Sequence, residues 1–200
     1  MFEITEYIGI IAFAMSGFFV AIRNELDLLG ILIATFLTAF GGGVVRDVIV
    51  GKTPYPFGSD EPAIMVITVM IIMILFGVHR KPSIENRALF IFSDSIGLVS
   101  FSVTGALIAL EAGYNLTGIL TLSFITAVGG GIMRDVILNE VPFVFKTGFY
   151  GTVSLLIGFG IYLLDRFEIM SVGAMLLLFA TGVAIRVVAF YQKWSIKVIK

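Results

Sequence analysis

Apolar residues run along this chain in long blocks, separated by short polar segments rich in turn formers. A bilayer core about 30 Å thick needs roughly 20 apolar residues per helix. Seven blocks fit that length: Ile4–Ile22, Leu26–Val50, Ala63–Val78, Leu89–Leu110, Leu116–Leu138, Phe143–Leu164 and Ile169–Phe190. The third is short and lengthens if it starts in the Ser59–Pro62 turn. Pro54, Pro56, Pro62, Pro82 and the Asn139–Pro142 stretch mark the breaks between blocks. The pattern predicts an all-α membrane protein of seven transmembrane helices.

Composition agrees with the pattern. Of 200 residues, 58% are hydrophobic and 14% charged, with a mean hydropathy of +1.07. A soluble domain is about half apolar and about a quarter charged, so the excess must face lipid. Cysteine is absent, which removes disulfides and thiolate metal sites. The opening Met1-Phe2-Glu3 has no basic segment, so the first block is expected to stay as a permanent helix.

Lysine and arginine in the loops set orientation. One side collects eight of the 13 basic residues: Arg23, Arg80, Lys81, Arg87, Lys146, Lys193, Lys197 and Lys200. The other side has two, Lys52 and Arg166, while Arg46, Arg134 and Arg186 lie inside spans. This bias predicts a cytoplasmic C-terminus and, after seven crossings, an N-terminus outside, in the inner (plasma) membrane.

The chain also repeats itself. A shift of 88 residues aligns Glu3–Phe57 with Ile91–Phe145, and 21 of the 55 positions are identical without a gap. The longest match pairs Gly41-Gly42-Gly43-Val44-Val45-Arg46-Asp47-Val48-Ile49 with Gly129-Gly130-Gly131-Ile132-Met133-Arg134-Asp135-Val136-Ile137. Each copy holds three spans, and an odd number of crossings makes the second copy enter from the opposite face. The expected organisation is a 3+3 inverted repeat, residues 1–87 and 88–165, followed by a seventh helix and basic tail in 166–200. Such repeats are common in transporters and channels whose ligand path follows the repeat interface.

Three consecutive glycines inside a helix are costly, each about 1 kcal/mol worse than alanine. Close helix packing usually needs one small residue per turn. The triplets Gly41, Gly42, Gly43 and Gly129, Gly130, Gly131 therefore predict a kink or local unwinding of spans two and five, with freed carbonyls as cation ligands. A tight crossing of the two spans is the other reading, and the two are compatible.

Arg46, Asp47, Arg134 and Asp135 follow the triplets. A charge at a helix centre costs about 2.5–3.5 kcal/mol on insertion scales, so such residues face a cavity or a partner. Neighbours i and i+1 point about 100° apart, so each arginine is expected to pair across helices, Arg46 with Asp135 and Arg134 with Asp47. In the alternative they are structural ion pairs pinning two helices.

Thr38 and Thr126 precede the triplets and either bond the i−4 carbonyl, favouring a bend, or coordinate a cation. Ser16 and Thr104 sit mid-span, as packing residues or pore hydroxyls. Glu6 and Asp94 occupy matched positions near helix starts, where they suit the helix dipole, with a role at a pore mouth as the other reading. Arg186 is expected to snorkel to headgroups, and His79 to contact headgroups beside Arg80 and Lys81. The Lys193–Lys200 tail fits anionic lipid. No nucleophile–base pair, phosphate loop or nucleic-acid patch is present. An enzyme, a catalytic residue, a bound cofactor and a nucleic-acid partner are accordingly not expected.

The doubled Gly-Gly-Gly-x-x-Arg-Asp-Val-Ile motif, the 3+3+1 layout and the length near 200 resemble the prokaryotic branch of the trimeric intracellular cation (TRIC) channel family. The resemblance implies a homotrimer with one pore in each protomer. It implies a pore lined by kinked second and fifth helices that conducts monovalent cations, potassium above all and also sodium. No metal is implied beyond that permeant cation; membrane lipid is a candidate ligand. Carried onto this chain, the helix breaks fall at Gly41–Gly43 and Gly129–Gly131, and the pore or gating charges at Arg46, Asp47, Arg134 and Asp135. Bacterial sequences of this kind are also grouped under a glycine-transporter heading. The alternative function is thus a secondary transporter of a small neutral amino acid such as glycine.

Overall fold

The computed structural model describes residues 2–78, 84–146 and 149–194, residues 84–87 by their backbone only. His79, Arg80, Lys81, Pro82, Lys197 and Lys200 lie outside the described residues, as does the side chain of Arg87. The described chain forms nine helices and no strand: α1 (Phe2–Arg23), α2 (Leu28–Ile49), α3 (Tyr55–Gly58), α4 (Glu61–Leu75), α5 (Ile84–Glu111), α6 (Leu116–Ile137), α7 (Phe143–Lys146), α8 (Tyr150–Arg166) and α9 (Val172–Tyr191).

Local chemistry sets the helix ends. Asp27 and Asn115 cap α2 and α6, their side chains accepting from Gly30 N at 2.7 Å and Gly118 N at 3.0 Å. Ser171 caps α9 in the same way. The stops match too: Gly51 (φ 71°) and Asn139 (φ 55°) are equivalent by the 88-residue shift, as are Glu25 (φ 54°) and Gly113 (φ 72°). Left-handed backbone is where glycine and asparagine fit without strain.

Five helices, α1, α2, the Ala88–Glu111 part of α5, α6 and α9, are long and apolar enough to cross a membrane. The remaining two of the seven predicted spans are shorter, α4 at 15 and α8 at 17 residues. The sixth block is divided: a helix from Phe143 was expected, but Phe143–Lys146 forms α7 and the long helix starts at Tyr150, after Phe149 at φ 63°. Pro142 explains the split, because it is the repeat equivalent of Pro54, which opens the four-residue α3.

The outer surface is apolar, and buried charges sit inside an otherwise apolar core. Large side chains such as Ile4, Leu28, Ile64, Leu75, Leu176 and Leu177 are exposed, whereas Glu6, Arg46, Asp47, Asp94, Arg134, Asp135 and Arg186 are buried. In water that distribution would be unstable; in lipid it is the expected one.

Contacts between the two copies are reciprocal, as in any two-fold pairing. At the α1–α5 contact the Phe101 ring covers Gly9 and the Phe13 ring covers Gly97, with the rings edge to face at 5.1 Å. Within each copy the contacts correspond as well, Gly17 packing on Thr35 and Thr38, and Gly105 on Thr126 and the Leu122 carbonyl. Lys52 bonds Glu111 at 3.0 Å, while Glu140 and Arg23, the equivalents of Lys52 and Glu111 with the charges exchanged, meet at 3.0 Å.

This last contact is pH-sensitive. Partial burial raises the Glu140 carboxyl, but Asn24, Arg23 and Lys146 outweigh burial and hold it below the usual carboxylate range. A depressed carboxylate stabilises the fold above its unfolded pKa and loses that contribution as pH falls through the folded value. With Arg23 58% exposed, the effect should reach at most about 1 kcal/mol. Thermal unfolding should separate wild type from Glu140→Gln slightly near neutral pH, and the gap should close as acid protonates the folded carboxylate. A gap that widened in acid would contradict the assignment.

Candidate functional site: two buried arginine–carboxylate clusters

The glycine triplets bring α2 and α6 into backbone contact. A Cβ on Gly42 would collide with the Thr126 carbonyl, and one on Gly130 with the Thr38 carbonyl. One on Gly41 would lie 2.9 Å from the Gly130 Cα. Helical structure is continuous through both triplets, α2 running Leu28–Ile49 and α6 Leu116–Ile137. The expected unwinding with freed carbonyls is thus not what the structure contains. The first two glycines of each triplet suit the helix here because a neighbouring backbone occupies the space where their side chains would stand, while the third has only side-chain atoms at 3.6 Å or beyond.

Thr38 and Thr126 donate to the i−4 carbonyls of Ala34 (2.7 Å) and Leu122 (2.6 Å). Each also faces a glycine of the preceding helix, Gly17 or Gly105.

Beyond the crossing, each arginine bonds its own neighbour. Arg46 Nε donates to Asp47 Oδ1 at 2.8 Å, and Arg134 Nε to Asp135 Oδ1 at 2.8 Å. The expected cross-pairs Arg46–Asp135 and Arg134–Asp47 do not form. The 100° argument treated side chains as short radial vectors. Arginine's three methylenes are long enough to curl back to the adjacent carboxylate, in the last turn where the chain is about to leave the helix. The second aspartate oxygen then caps the next segment: Asp47 Oδ2 accepts from Tyr55 N at 3.1 Å, and Asp135 Oδ2 from Phe143 N at 2.7 Å.

Glu6 corrects a second expectation. The dipole reading left out its partner: Glu6 is 4% exposed and binds Arg46 through both oxygens, at 2.8 and 3.1 Å. Thr104, from the other copy, accepts from Arg46 Nη1 at 3.5 Å and donates to the Phe101 carbonyl. Outside this cluster lies a cavity of about 380 Å³ lined by Glu3, Glu6, Tyr7, Asp47, Glu61 and Glu111 with Arg46, Lys52 and Tyr55. Tyr55 OH bonds Glu61 Oε2 (3.2 Å) and Tyr7 OH (3.3 Å). Partial burial and then these two partners push its phenol well up, so it stays neutral.

The second cluster is built differently. Asp94 stands where Glu6 stands in the first copy but is one methylene shorter. Its Oδ1 accepts from Ser16 Oγ at 3.1 Å and Tyr150 OH at 3.3 Å. Arg186 also enters, from α9 outside the repeat. It does not snorkel: it is 0% exposed, and its guanidinium lies 4.6 Å from the Tyr150 ring centroid. Sequence reasoning placed the four charges after the triplets and the hydroxyls Ser16 and Thr104. It missed Glu6, Asp94, Arg186, Tyr55 and Tyr150 as partners. The repeat alignment did carry a signal for Glu6 and Asp94, as matched acids at positions a lipid-facing helix would not tolerate.

Comparison with known proteins supports this architecture. A family described as glycine transporter matches residues 3–80 and again 91–166, once in each copy. A UPF0126 membrane protein of Deinococcus radiodurans is 35% identical over 187 residues, spanning 90% of this chain and 86% of the relative. The UPF0126 membrane protein YvgT of Bacillus subtilis is 33% identical over 198 residues, 97% and 94% of the two chains. Among solved structures, a prokaryotic TRIC channel crystallised in 0.5 M KCl superposes with a TM-score of 0.88 at 26% identity, over 98% of each chain. A structure solved to explain conductance through TRIC cation channels gives 0.82 at 30% identity, over 100% and 98%. With a family match in both halves and full-length likeness in sequence and fold, the chain is a multi-pass membrane protein that belongs to the prokaryotic TRIC channel family.

Proposed function

We propose that this protein is a monovalent-cation channel, permeable to potassium and sodium, with one pore in each protomer of a homotrimer. In this reading α1, α2, α4, α5, α6, α8 and α9 are seven spans of the inner (plasma) membrane, N-terminus outside and C-terminus cytoplasmic. Residues 1–87 and 88–165 are the oppositely inserted copies, and 166–200 adds the seventh helix and a lipid-contacting tail. The carrying observation is the full-length likeness to solved cation channels.

The chain's own chemistry agrees. The cavity beside Glu6 is lined by five carboxylates, Glu3, Glu6, Asp47, Glu61 and Glu111, against two basic groups, Arg46 and Lys52. Clefts lined by one sign of charge concentrate counter-ions, so this mouth gathers cations. The path runs along α2 and α6 past Arg46–Asp47 and Arg134–Asp135. Because the helices keep their hydrogen bonds through the triplets, side-chain carboxylates and hydroxyls, not freed carbonyls, replace lost hydration. A bend at Gly41–Gly43 and Gly129–Gly131 supplies the movement. Burial of both clusters supports reading this conformation as closed.

Planar-bilayer recording of purified protein in asymmetric potassium chloride tests the proposal. The expected result is discrete unitary steps reversing near the potassium equilibrium potential. Saturable glycine counterflow without steps would replace the channel by a carrier.

A further inference from the structure

The 88-residue shift, continued by a few residues at each end, carries the cavity of the first copy onto a matching mouth in the second. The two mouths differ in chemistry. Phe2, Glu6, Thr53, Tyr55 and Glu61 line the cavity. Their equivalents are Phe90, Asp94, Val141, Phe143 and Phe149, so three polar side chains become apolar. The geometry differs in the same sense. Phe2 and Tyr55 border about 380 Å³ of open space. Phe90 and Phe143 instead meet edge to face, with ring centroids 5.7 Å apart. Tyr150 adds a third ring, 5.6 Å from Phe143, where the first copy has Pro62.

The helix outside the repeat, α9, supplies what holds these rings. Arg186 is 0% exposed. Its guanidinium carbon lies 4.6 Å from the Tyr150 ring centroid, 5.7 Å from that of Phe143 and 5.8 Å from that of Phe190. Its Nε, Nη1 and Nη2 have no hydrogen-bond partner among the described residues. A buried cation without hydrogen bonds is costly, and attraction to the ring faces is what offsets the cost here. Just past α9, Trp194 meets Phe149 edge to face at 5.4 Å. The cluster sits directly on the second arginine–aspartate pair, because Asp135 Oδ2 accepts from the Phe143 amide at 2.7 Å.

A constriction of apolar side chains stops ions by excluding their hydration water. We propose that Phe90, Phe143 and Tyr150 form the gate that closes the second mouth, and that Arg186 is the residue that positions it. This rests on the path along α2 and α6 put forward above. The first mouth, with its carboxylates and open volume, admits hydrated cations. The second admits them only when the rings part. Arg186 bridges Phe143 of α7 to Tyr150 of α8, so a shift of α9 that lifts the guanidinium away frees one ring from the other. Opening at this end is thus governed by a helix that the first copy lacks, and the two mouths need not open alike.

Thiol labelling of the full-length protein in detergent tests the gate without requiring conduction, and the chain has no cysteine to give a background. Ser95→Cys probes behind the rings: Ser95 is 0% exposed, lies further along α5 than Phe90, and is the equivalent of Tyr7 in the open cavity. Thr35→Cys is the matched control, equally buried in α2, and Val141→Cys, 59% exposed, marks the entrance. A small cationic methanethiosulfonate should label Val141→Cys fast and the other two slowly. Adding Phe143→Ala or Arg186→Gln should speed labelling of Ser95→Cys by about tenfold or more, the order expected from losing a desolvated cation–ring contact. Thr35→Cys should stay slow in both backgrounds, which a general loosening of the fold would not allow. Arg186→Lys, whose ammonium also rests on ring faces, should keep Ser95→Cys slow. The proposal is overturned if Ser95→Cys labels as fast as Val141→Cys in the parent protein, or no faster in either folded variant. Equal acceleration at Thr35→Cys would overturn it too. In planar bilayers Phe143→Ala and Arg186→Gln should raise open probability. Silence of parent and variants, with labelling as expected, would remove the channel reading and leave the gate standing.

Discussion

Alanine at Gly42 or Gly130 should destabilise the protein more than alanine anywhere else in the glycine triplets. The added methyl would run into a main-chain carbonyl, that of Thr126 or Thr38, which cannot rotate away as a side chain can. Relief requires α2 and α6 to separate, which also opens the contacts of Gly41 with Gly130 and Gly129 with Gly42. Overpacking a close-packed interior costs about 1–3 kcal/mol and sometimes more; a rigid backbone obstacle puts these two at or above the top of that range. The same triplets contain their own controls. A Cβ on Gly43 would come no closer than 3.6 Å to Glu6 Oε1, and one on Gly131 no closer than 3.8 Å to Arg134 Nη2. Gly43→Ala and Gly131→Ala should therefore be tolerated, with up to about 1 kcal/mol gained from helix propensity. Thermal unfolding of the four variants in one detergent reads the contrast directly. If all four unfolded together, the close crossing would not be the reason for the triplets. Leucine at Gly42 or Gly130 should in addition abolish unitary current.

Arg46→Ala carries the second large effect. It strands Glu6 and Asp47, both 4% exposed, with no cation left to share. Removing one partner of a buried ion pair costs about 3–5 kcal/mol, because the remaining charge stays in low dielectric. Here two carboxylates remain, so the upper part of that range applies. Adding Glu6→Gln should recover part of the loss, since a neutral amide in place of the Glu6 carboxylate leaves only Asp47 unpaired, and Asp47 keeps the Tyr55 amide. Arg134→Ala should cost less than Arg46→Ala, because Arg186 remains within reach of Asp94. Unfolding temperatures of the two single variants and the double variant decide this. Equal losses at Arg46 and Arg134 would show that Arg186 does not contribute to the second cluster. Lysine should not rescue Arg46, since one ammonium cannot hold Glu6 with two parallel bonds while also holding Asp47.

The order of helices and breaks was legible because it depends on neighbours in the chain. Block length, the prolines Pro54, Pro56 and Pro62, and the Asn139–Pro142 stretch act within a few residues. The 88-residue self-similarity carried the duplication without any coordinates. The division of the sixth block was also latent, since Pro142 matches Pro54. A run of apolar residues masked it, because hydropathy does not distinguish a four-residue turn of helix from the start of a span.

Side-chain partners were another matter. Whether Arg46 meets Asp47, Asp135 or Glu6 depends on how α1 and α2 are rotated about their axes and how far a flexible side chain reaches. Neither is encoded in spacing along one helix. The triplets were ambiguous for the same reason: glycine permits both an unwound turn and a backbone crossing, and only a neighbouring helix selects between them. Arg186 shows the limit most clearly. It sits on a helix outside the repeat, so no internal alignment could relate it to Asp94; α9 had to pack against α5 and α8 first. The amino-acid order alone determined which segments are helical, where they stop and that they come in two copies. Only the packed structure decided which buried charges meet, because that is set by distances of a few ångströms between helices far apart in the chain.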